Sequence, residues 1–134
     1  MTFVHPHHEV IFTNKTKSPT NYITGDKNKL LQVFINTLSN AAKFSLQESP
    51  ISLTLSKEKK SYIIQITNNG KGIPKGELEK IFDRFYKGTN NYHEGMGLGL
   101  YLTKKIVEDH KGSIFITSDI GKQTIVEIHF PSKK

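Results

Sequence analysis

The chain has 134 residues, of which 35% are apolar and 23% charged, with a formal net charge of +7 and no cysteine. That length suits one compact domain with a real core, and the lack of cysteine excludes a disulfide framework, a thiolate metal site and a cysteine nucleophile. No apolar run approaches the roughly eighteen residues of a membrane helix, and the N-terminus lacks a basic segment leading into an apolar one.

In chain order, His8 to Asn14 reads as a strand carrying Val10, Ile11 and Phe12, and Tyr22 with Ile23 predicts a second short strand before a turn at Gly25. His5, His7 and His8 lie in a proline-broken stretch and read as surface or strand-edge residues. Asp26 is a good helix cap, and Leu31, Phe34, Ile35, Leu38 and Ala42 recur at helical spacing, which predicts a core-facing helix. Ile51, Leu53 and Leu55 alternate with polar residues, and Tyr62, Ile64 and Ile66 do so again after a lysine-rich turn, the pattern of an antiparallel hairpin. That turn holds the densest basic run, Lys57, Lys59 and Lys60, while the other lysines are spread from Lys15 to Lys134. Without an aromatic-studded RNA-binding signature, the charge reads as a solvated basic surface, and no nucleic-acid partner is expected.

Gly70, Gly72 and Pro74 stop the second hairpin strand, and Leu78, Ile81, Phe82 and Phe85 then predict a short amphipathic helix. From Lys87 to Met96 the chain is polar and aperiodic, as in a mobile surface loop or lid. Leu98, Leu102 and Ile106 form a stripe on a second long helix, with His110 and Lys111 in its last turn and Gly112 at the terminating position. Two closing strands, 113–117 and 124–130, are joined by a turn at Gly121. Two or three helices and about six strands, not in strict alternation, imply an α/β (α+β) two-layer sandwich, with helices on one face of a mixed, mostly antiparallel sheet. Residues 1–134 read as a single domain.

Three constellations carry chemistry. On the first long helix Asn36, Asn40 and Lys43 fall at i, i+4 and i+7, so they share one stripe, opposite the apolar one. Asparagine is a poor helix former, and amide oxygens beside a lysine suit a hard cation and a phosphate. Between Thr67 and Pro74 the chain leaves a strand and turns, with Gly70 and Gly72 able to take positive φ or admit a ligand against bare backbone. Gly95, Gly97 and Gly99 stand at alternate positions before a helix, whose unbonded amides and positive dipole end make an anion site. The segment before them is a polar loop instead of a strand, so a Rossmann unit is not expected.

In this order, the segments resemble the ATP-binding catalytic domain of sensor histidine kinases, within the GHKL superfamily, over nearly the whole chain. Asp26 through Asn36, Asn40, Lys43 and Phe44 matches the N box, and Asn68 through Gly70, Gly72, Ile73 and Pro74 the G1 box. Phe82, Arg84 and Phe85 match the F box, and Gly95, Gly97 and Gly99 the G2 box. The resemblance implies the Bergerat sandwich, with ATP and Mg2+ as cofactors. Asn40 would hold Mg2+, with Asn36 beside it and Lys43 on phosphate oxygens, these two being the catalytic candidates. Phe44 would pack on the adenine, the amides near Gly97, Leu98 and Gly99 would cradle the phosphates, and Thr124 would approach the base. Lys87 to Met96 would be the ATP lid, with Lys87 and Gly95 among the nucleotide contacts.

The same resemblance implies transfer of the γ-phosphate to a histidine on a separate dimerisation domain of the same parent kinase, with a response regulator as downstream partner. The chain itself reads as a monomeric, cytoplasmic fragment of such a kinase, with anchoring of the parent in the inner membrane left open. Superfamily members that hydrolyse ATP carry a glutamate four residues before the magnesium asparagine; here that position is Asn36, which takes no proton, so little turnover is expected. Two departures stand out. The G1 box normally opens on aspartate where this chain has Asn68, which predicts weaker adenine recognition and relaxed purine selectivity, and favours an alternative reading as a catalytically weakened nucleotide-binding module. Gln123 stands where the family usually repeats glycine, with little effect expected.

Overall fold

The fold is that of a computed structural model, which describes residues 2–5, 8–45, 49–70, 72–73, 75–78, 80–83, 99–119 and 121–132. Its elements are β1 (Thr2–His5), β2 (His8–Asn14), α1 (Lys27–Phe44), β3 (Ile51–Glu58), β4 (Ser61–Asn69), α2 (Lys75–Leu78), α3 (Gly99–Asp109), β5 (Ser113–Asp119) and β6 (Gln123–Pro131). The strands form a 6-stranded sheet in the order β1-β2-β3-β4-β6-β5. Among the described strands only β2 and β3 run parallel, and the connection between them carries α1, since a parallel pair cannot be closed by a tight turn. This is the expected two-layer α/β architecture, with a mixed and mostly antiparallel sheet. Among the described residues no helix is long and apolar enough to cross a membrane.

Strict alternation sets the two faces of the sheet. Along β4, Tyr62, Ile64 and Ile66 point inward and along β6 Val126, Ile128 and Phe130 do the same, meeting Val33, Ala41, Ile106 and Val107 of the helices. The opposite face is polar at its centre. There Gln65 Nε2 donates to Glu127 Oε1 at 2.7 Å, and His129 Nε2 lies 2.7 Å from Glu127 Oε2. With both oxygens engaged, the His129 hydrogen bond first and the Gln65 bond second hold the Glu127 carboxyl below the usual carboxylate range. A depressed folded pKa contributes stability that is present above the unfolded pKa and is lost as pH falls through the folded one. Glu127→Gln is therefore expected to cost about 0.5 kcal/mol at neutral pH. Urea melts should show that difference closing as the wild-type carboxylate is protonated in acid.

The two long helices lie antiparallel. The Asp26 backbone N–H donates to His110 Nε2 at 3.0 Å at one end, and Asn36 Nδ2 donates to Thr103 Oγ1 at 3.4 Å further along. Because His110 Nε2 accepts, its Nδ1 carries the proton and donates to Ile106 O at 2.7 Å, closing the last turn of α3. The cap expected at Asp26 is present, with its carboxylate accepting from Lys29 N at 3.1 Å.

Four expectations need correction. Tyr22 and Ile23 form no strand. The preceding stretch satisfies its polar groups locally instead, with Thr16 N donating to Asn14 Oδ1, Ser18 Oγ to Thr20 O and Asn21 Nδ2 to Ser18 O. On α1 the apolar stripe is partly rotated: Ala42 is buried and Phe34 and Leu38 pack on the core as expected, but Leu31 and Ile35 are 49% and 61% exposed, while Val33, Thr37, Asn40 and Ala41 are buried. The asparagine stripe is thus part of the buried face and not opposite it. On α3 the buried positions are Leu100, Thr103, Ile106 and Val107, with Leu102 only half-buried and Leu98 outside the described residues. The short helix spans only Lys75–Leu78, where Gly76 lowers helix propensity, although Ile81 and Phe82 pack inward as expected.

Candidate functional site

The inward columns of β4 and β6 are apolar until their last step, where both turn polar. Asn68 and Thr124 are 2% and 3% exposed and face each other in register. Ser118 of β5 is paired with Thr124 in turn, with their hydroxyls 2.9 Å apart, so three adjacent strands end in a row of hydrogen-bonding side chains. Above this row stands Asn40, which is 7% exposed, and the antiparallel packing brings Leu100, in the first turn of α3, to the same place.

The loop leaving β4 is fastened to the row. Gly70 N donates to Lys122 O at 3.1 Å, and Ile73 N donates to Ser118 Oγ at 2.7 Å. Between them Gly72 takes φ 78, the left-handed conformation anticipated for this loop. Ile73, Ile81 and Leu100 then form a small apolar cluster that closes one wall. Together with Thr37, Asn40, Asn68 and Thr124 they bound a space of about 20 Å³. That is room for about one water molecule, so a larger occupant requires these walls to part.

Two atoms in this space lack partners. Among the described residues, the buried side-chain nitrogens without a hydrogen bond are Asn40 Nδ2 and Asn68 Nδ2. A buried unpaired donor costs about 1–3 kcal/mol, so two of them on one small space call for a polar occupant, a water molecule or a ligand. The helix α3 opens at Gly99, so the positive end of its dipole lies at this end of the sandwich.

The predicted residues Asn40, Asn68, Gly70, Gly72, Ile73 and Thr124 are therefore gathered at one end of the sandwich. Asn36 lies one turn back on α1, half-buried against Thr103. Lys43 and Phe44 occupy the last turn of α1, but their side chains lie outside the description, as do Lys87, Gly95, Gly97 and Leu98 altogether. Sequence reading missed Ser118, which ties Ile73 and Thr124 together. Its only signal is the register of a hairpin, in which a hydroxyl faces another hydroxyl across the turn.

The match to a family model decides what this arrangement belongs to. Residues 25–134 match the model described as "Histidine kinase-, DNA gyrase B-, and HSP90-like ATPase". The chain belongs to that family. Among curated relatives, the sensor histidine kinase WalK of Bacillus subtilis is 36% identical over 118 residues, which is 84% of this chain and 19% of WalK. The sensor protein SrrB of Staphylococcus aureus is 35% identical over 111 residues, 81% of this chain and 19% of SrrB. The chain thus spans about a fifth of the length of the relatives it matches. Among solved structures, the catalytic domain of the histidine kinase ThkA superposes with a TM-score of 0.77 at 27% identity, covering 92% of this chain and 79% of that one. The mycobacterial sensor histidine kinase MprB gives 0.77 at 26% identity, over 92% and 82%. As in those kinase domains, the histidine-kinase-type ATPase fold here is the Bergerat sandwich.

Proposed function

We propose that this histidine-kinase-like ATPase domain binds a magnesium–purine nucleotide between α1, the β4–α2 loop and the start of α3. Within a longer kinase it supplies the terminal phosphate to a histidine on a separate dimerisation domain, which in turn serves a response regulator. The reading rests on one observation above the rest, the buried side chains of Asn40 and Asn68 lining a single space with their Nδ2 atoms unpartnered within the protein. Among the described residues no group of three or more His, Cys, Asp or Glu is placed to hold a metal. Asn40, through its amide oxygen, is the residue that would hold a magnesium ion carried with the nucleotide, and that ion would supply charge neutralisation at the phosphates.

The chain's own residues divide the remaining work. The positive dipole end of α3 at Gly99 favours the phosphates, joined by Gly95, Gly97, Leu98, Lys43 and Lys87. Phe44 covers the base. Asn36 donates to Thr103 and so holds α3 beside Asn40; having no titratable group it activates no water, which favours transfer over hydrolysis.

Asn68 reads the purine edge, with Thr124 held next to it by Ser118. An amide offers both a donor and an acceptor, so it pairs with the amino group of adenine or with the carbonyl of guanine. Calorimetric titration with Mg·ADP and Mg·GDP is expected to give affinities within about tenfold of each other, a difference of about 1.4 kcal/mol or less. Asn68→Asp should restore a preference for ADP. A preference of the unsubstituted chain for ADP of about a hundredfold or more contradicts the selectivity, and no heat from either nucleotide contradicts the site.

The neutral Asn68 also favours a second reading, a nucleotide-binding module that has lost catalysis. Mixing the chain with a matching histidine-bearing domain and labelled ATP separates the two. Label on the histidine supports the kinase, and binding without transfer supports the module.

A further inference from the structure

Two larger hollows lie at the other end of α1, about 15 Å along the helix from Asn40. The first, of about 500 Å³, is lined by Lys15, Lys17, Lys57 and Lys59, with Asn21 and Tyr62 among its other walls and no carboxylate. Lysines that look dispersed in the sequence are thus brought to one cleft by the pairing of β2 with β3 and by the β3–β4 hairpin. The second, of about 410 Å³, shares Asn21 and Tyr62 with the first but is walled by Leu30, Phe34, Leu55 and Phe130. Its lining again holds no carboxylate. At its mouth Tyr22 is 68% exposed and Leu31 49%, and Ile35 follows one turn further on the same exposed face.

A third observation concerns the hairpin. Glu58 pairs with Ser61, so Lys59 and Lys60 alone make the turn, and Lys59 is held at φ 56. Glycine or asparagine is the residue suited to that conformation. A strained residue kept at a position where a relaxed one fits points to a function for its side chain, and this side chain lines the lysine cleft.

We propose that the two hollows form one site for an acidic phospholipid at a bilayer surface, with the headgroup phosphate in the lysine cleft and the apolar part in the adjoining pocket. The lysine cleft supplies charge without countercharge, as in polybasic surfaces that recognise anionic lipid. The pocket falls within the 300–1,000 Å³ range of sites that enclose apolar ligands. Tyr22, with its apolar ring and polar tip, and Leu31 beside it suit the boundary between headgroup and acyl chain. A nucleic acid would use the cleft but leave the apolar pocket idle, and Tyr62, the aromatic face in the cleft, is already covered by Lys57, whose Nζ lies 5.2 Å from the ring centroid.

The test is sedimentation of the full chain with vesicles of phosphatidylcholine alone, and of phosphatidylcholine with one third phosphatidylglycerol, with pyrophosphate as a soluble competitor. Binding to the acidic vesicles at least about tenfold above the neutral ones is expected, with only weak competition by pyrophosphate. Lys15→Glu with Lys17→Glu should lower it about tenfold or more, and Tyr22→Ser with Leu31→Ser should lower it as well. Lys59→Gly should raise the thermal midpoint while lowering affinity, a combination that a purely structural lysine does not produce. Equal binding to both vesicle types overturns the proposal, as does no binding to either or full competition by pyrophosphate. Indifference to the Tyr22 and Leu31 changes also overturns it, leaving a diffuse electrostatic attraction that would suit an acidic protein equally well. Far-ultraviolet circular dichroism on each variant confirms that loss of binding is not loss of fold.

Discussion

Asn40→Ala is expected to remove magnesium–nucleotide binding while leaving the stability of the free domain almost unchanged. Truncating a buried side chain ordinarily costs about 2–5 kcal/mol, and Asn40 is as buried as its apolar neighbours Ala41 and Ala42. The difference lies in what is removed. Asn40 Nδ2 has no hydrogen-bond partner within the protein, so removing it breaks no internal hydrogen bond. Alanine forfeits some packing but leaves no protein group newly unpaired, and the loss is expected to stay within about 1 kcal/mol. In the complex nothing offsets the change, because the proposed metal ligand is gone, and affinity should fall by a factor of about 100 or more. Thermal unfolding of the free variant, followed by calorimetry with Mg·ADP, checks both halves. A large drop in midpoint would make Asn40 a structural residue, and retained nucleotide affinity would remove it from the site.

The same residue shows where sequence was a good guide to this molecule and where it was not. Spacing alone put Asn36 and Asn40 on one stripe, and local pattern with turn residues gave the two hairpins whose strands carry Asn68 and Thr124. These are local periodicities, legible because the pleat and the helix impose them. The direction in which α1 faces is not set by its large apolar residues alone, because a threonine belongs to the inward face. Thr37 is fully buried, and its hydroxyl is satisfied by Val33 O at 2.9 Å within the helix, so its methyl packs like that of a valine. Leu31 and Ile35 lie outside instead, Leu31 at the mouth of the proposed lipid site. The edge strand β1 was hidden by its histidine and proline neighbours, because an edge strand is held by backbone pairing and needs no apolar pattern. Ser118 was beyond reach for another reason: its partners Ile73 and Thr124 come from separate elements, and only the folded sheet brings them to it.

The end of α3 provides the second large effect, and there the residue at stake was anticipated for the wrong reason. Gly112 reads as a helix-terminating glycine, but the left-handed position belongs to Lys111, at φ 63. What Gly112 supplies is space. Its N–H returns to Val107 O at 2.9 Å, and the chain enters β5 at the next residue, with Ser113 paired to His129. A Cβ on Gly112 would lie 2.3 Å from His129 O and 3.1 Å from both Phe130 Cδ1 and Val107 Cγ1. The first of these is backbone in the sheet ladder between β5 and β6, which cannot move aside without breaking its own pairing. Gly112→Ala is accordingly expected to destabilise the domain by about 3 kcal/mol, a fall of about 10 °C in thermal midpoint for a domain of this size. Lys111→Gly should do the opposite and gain about 0.5–1 kcal/mol, since glycine adopts the left-handed conformation without strain. The two neighbours thus move the midpoint in opposite directions. Parallel circular-dichroism melts check the pair, and a loss at Lys111→Gly, or no loss at Gly112→Ala, would return the terminating role to Gly112.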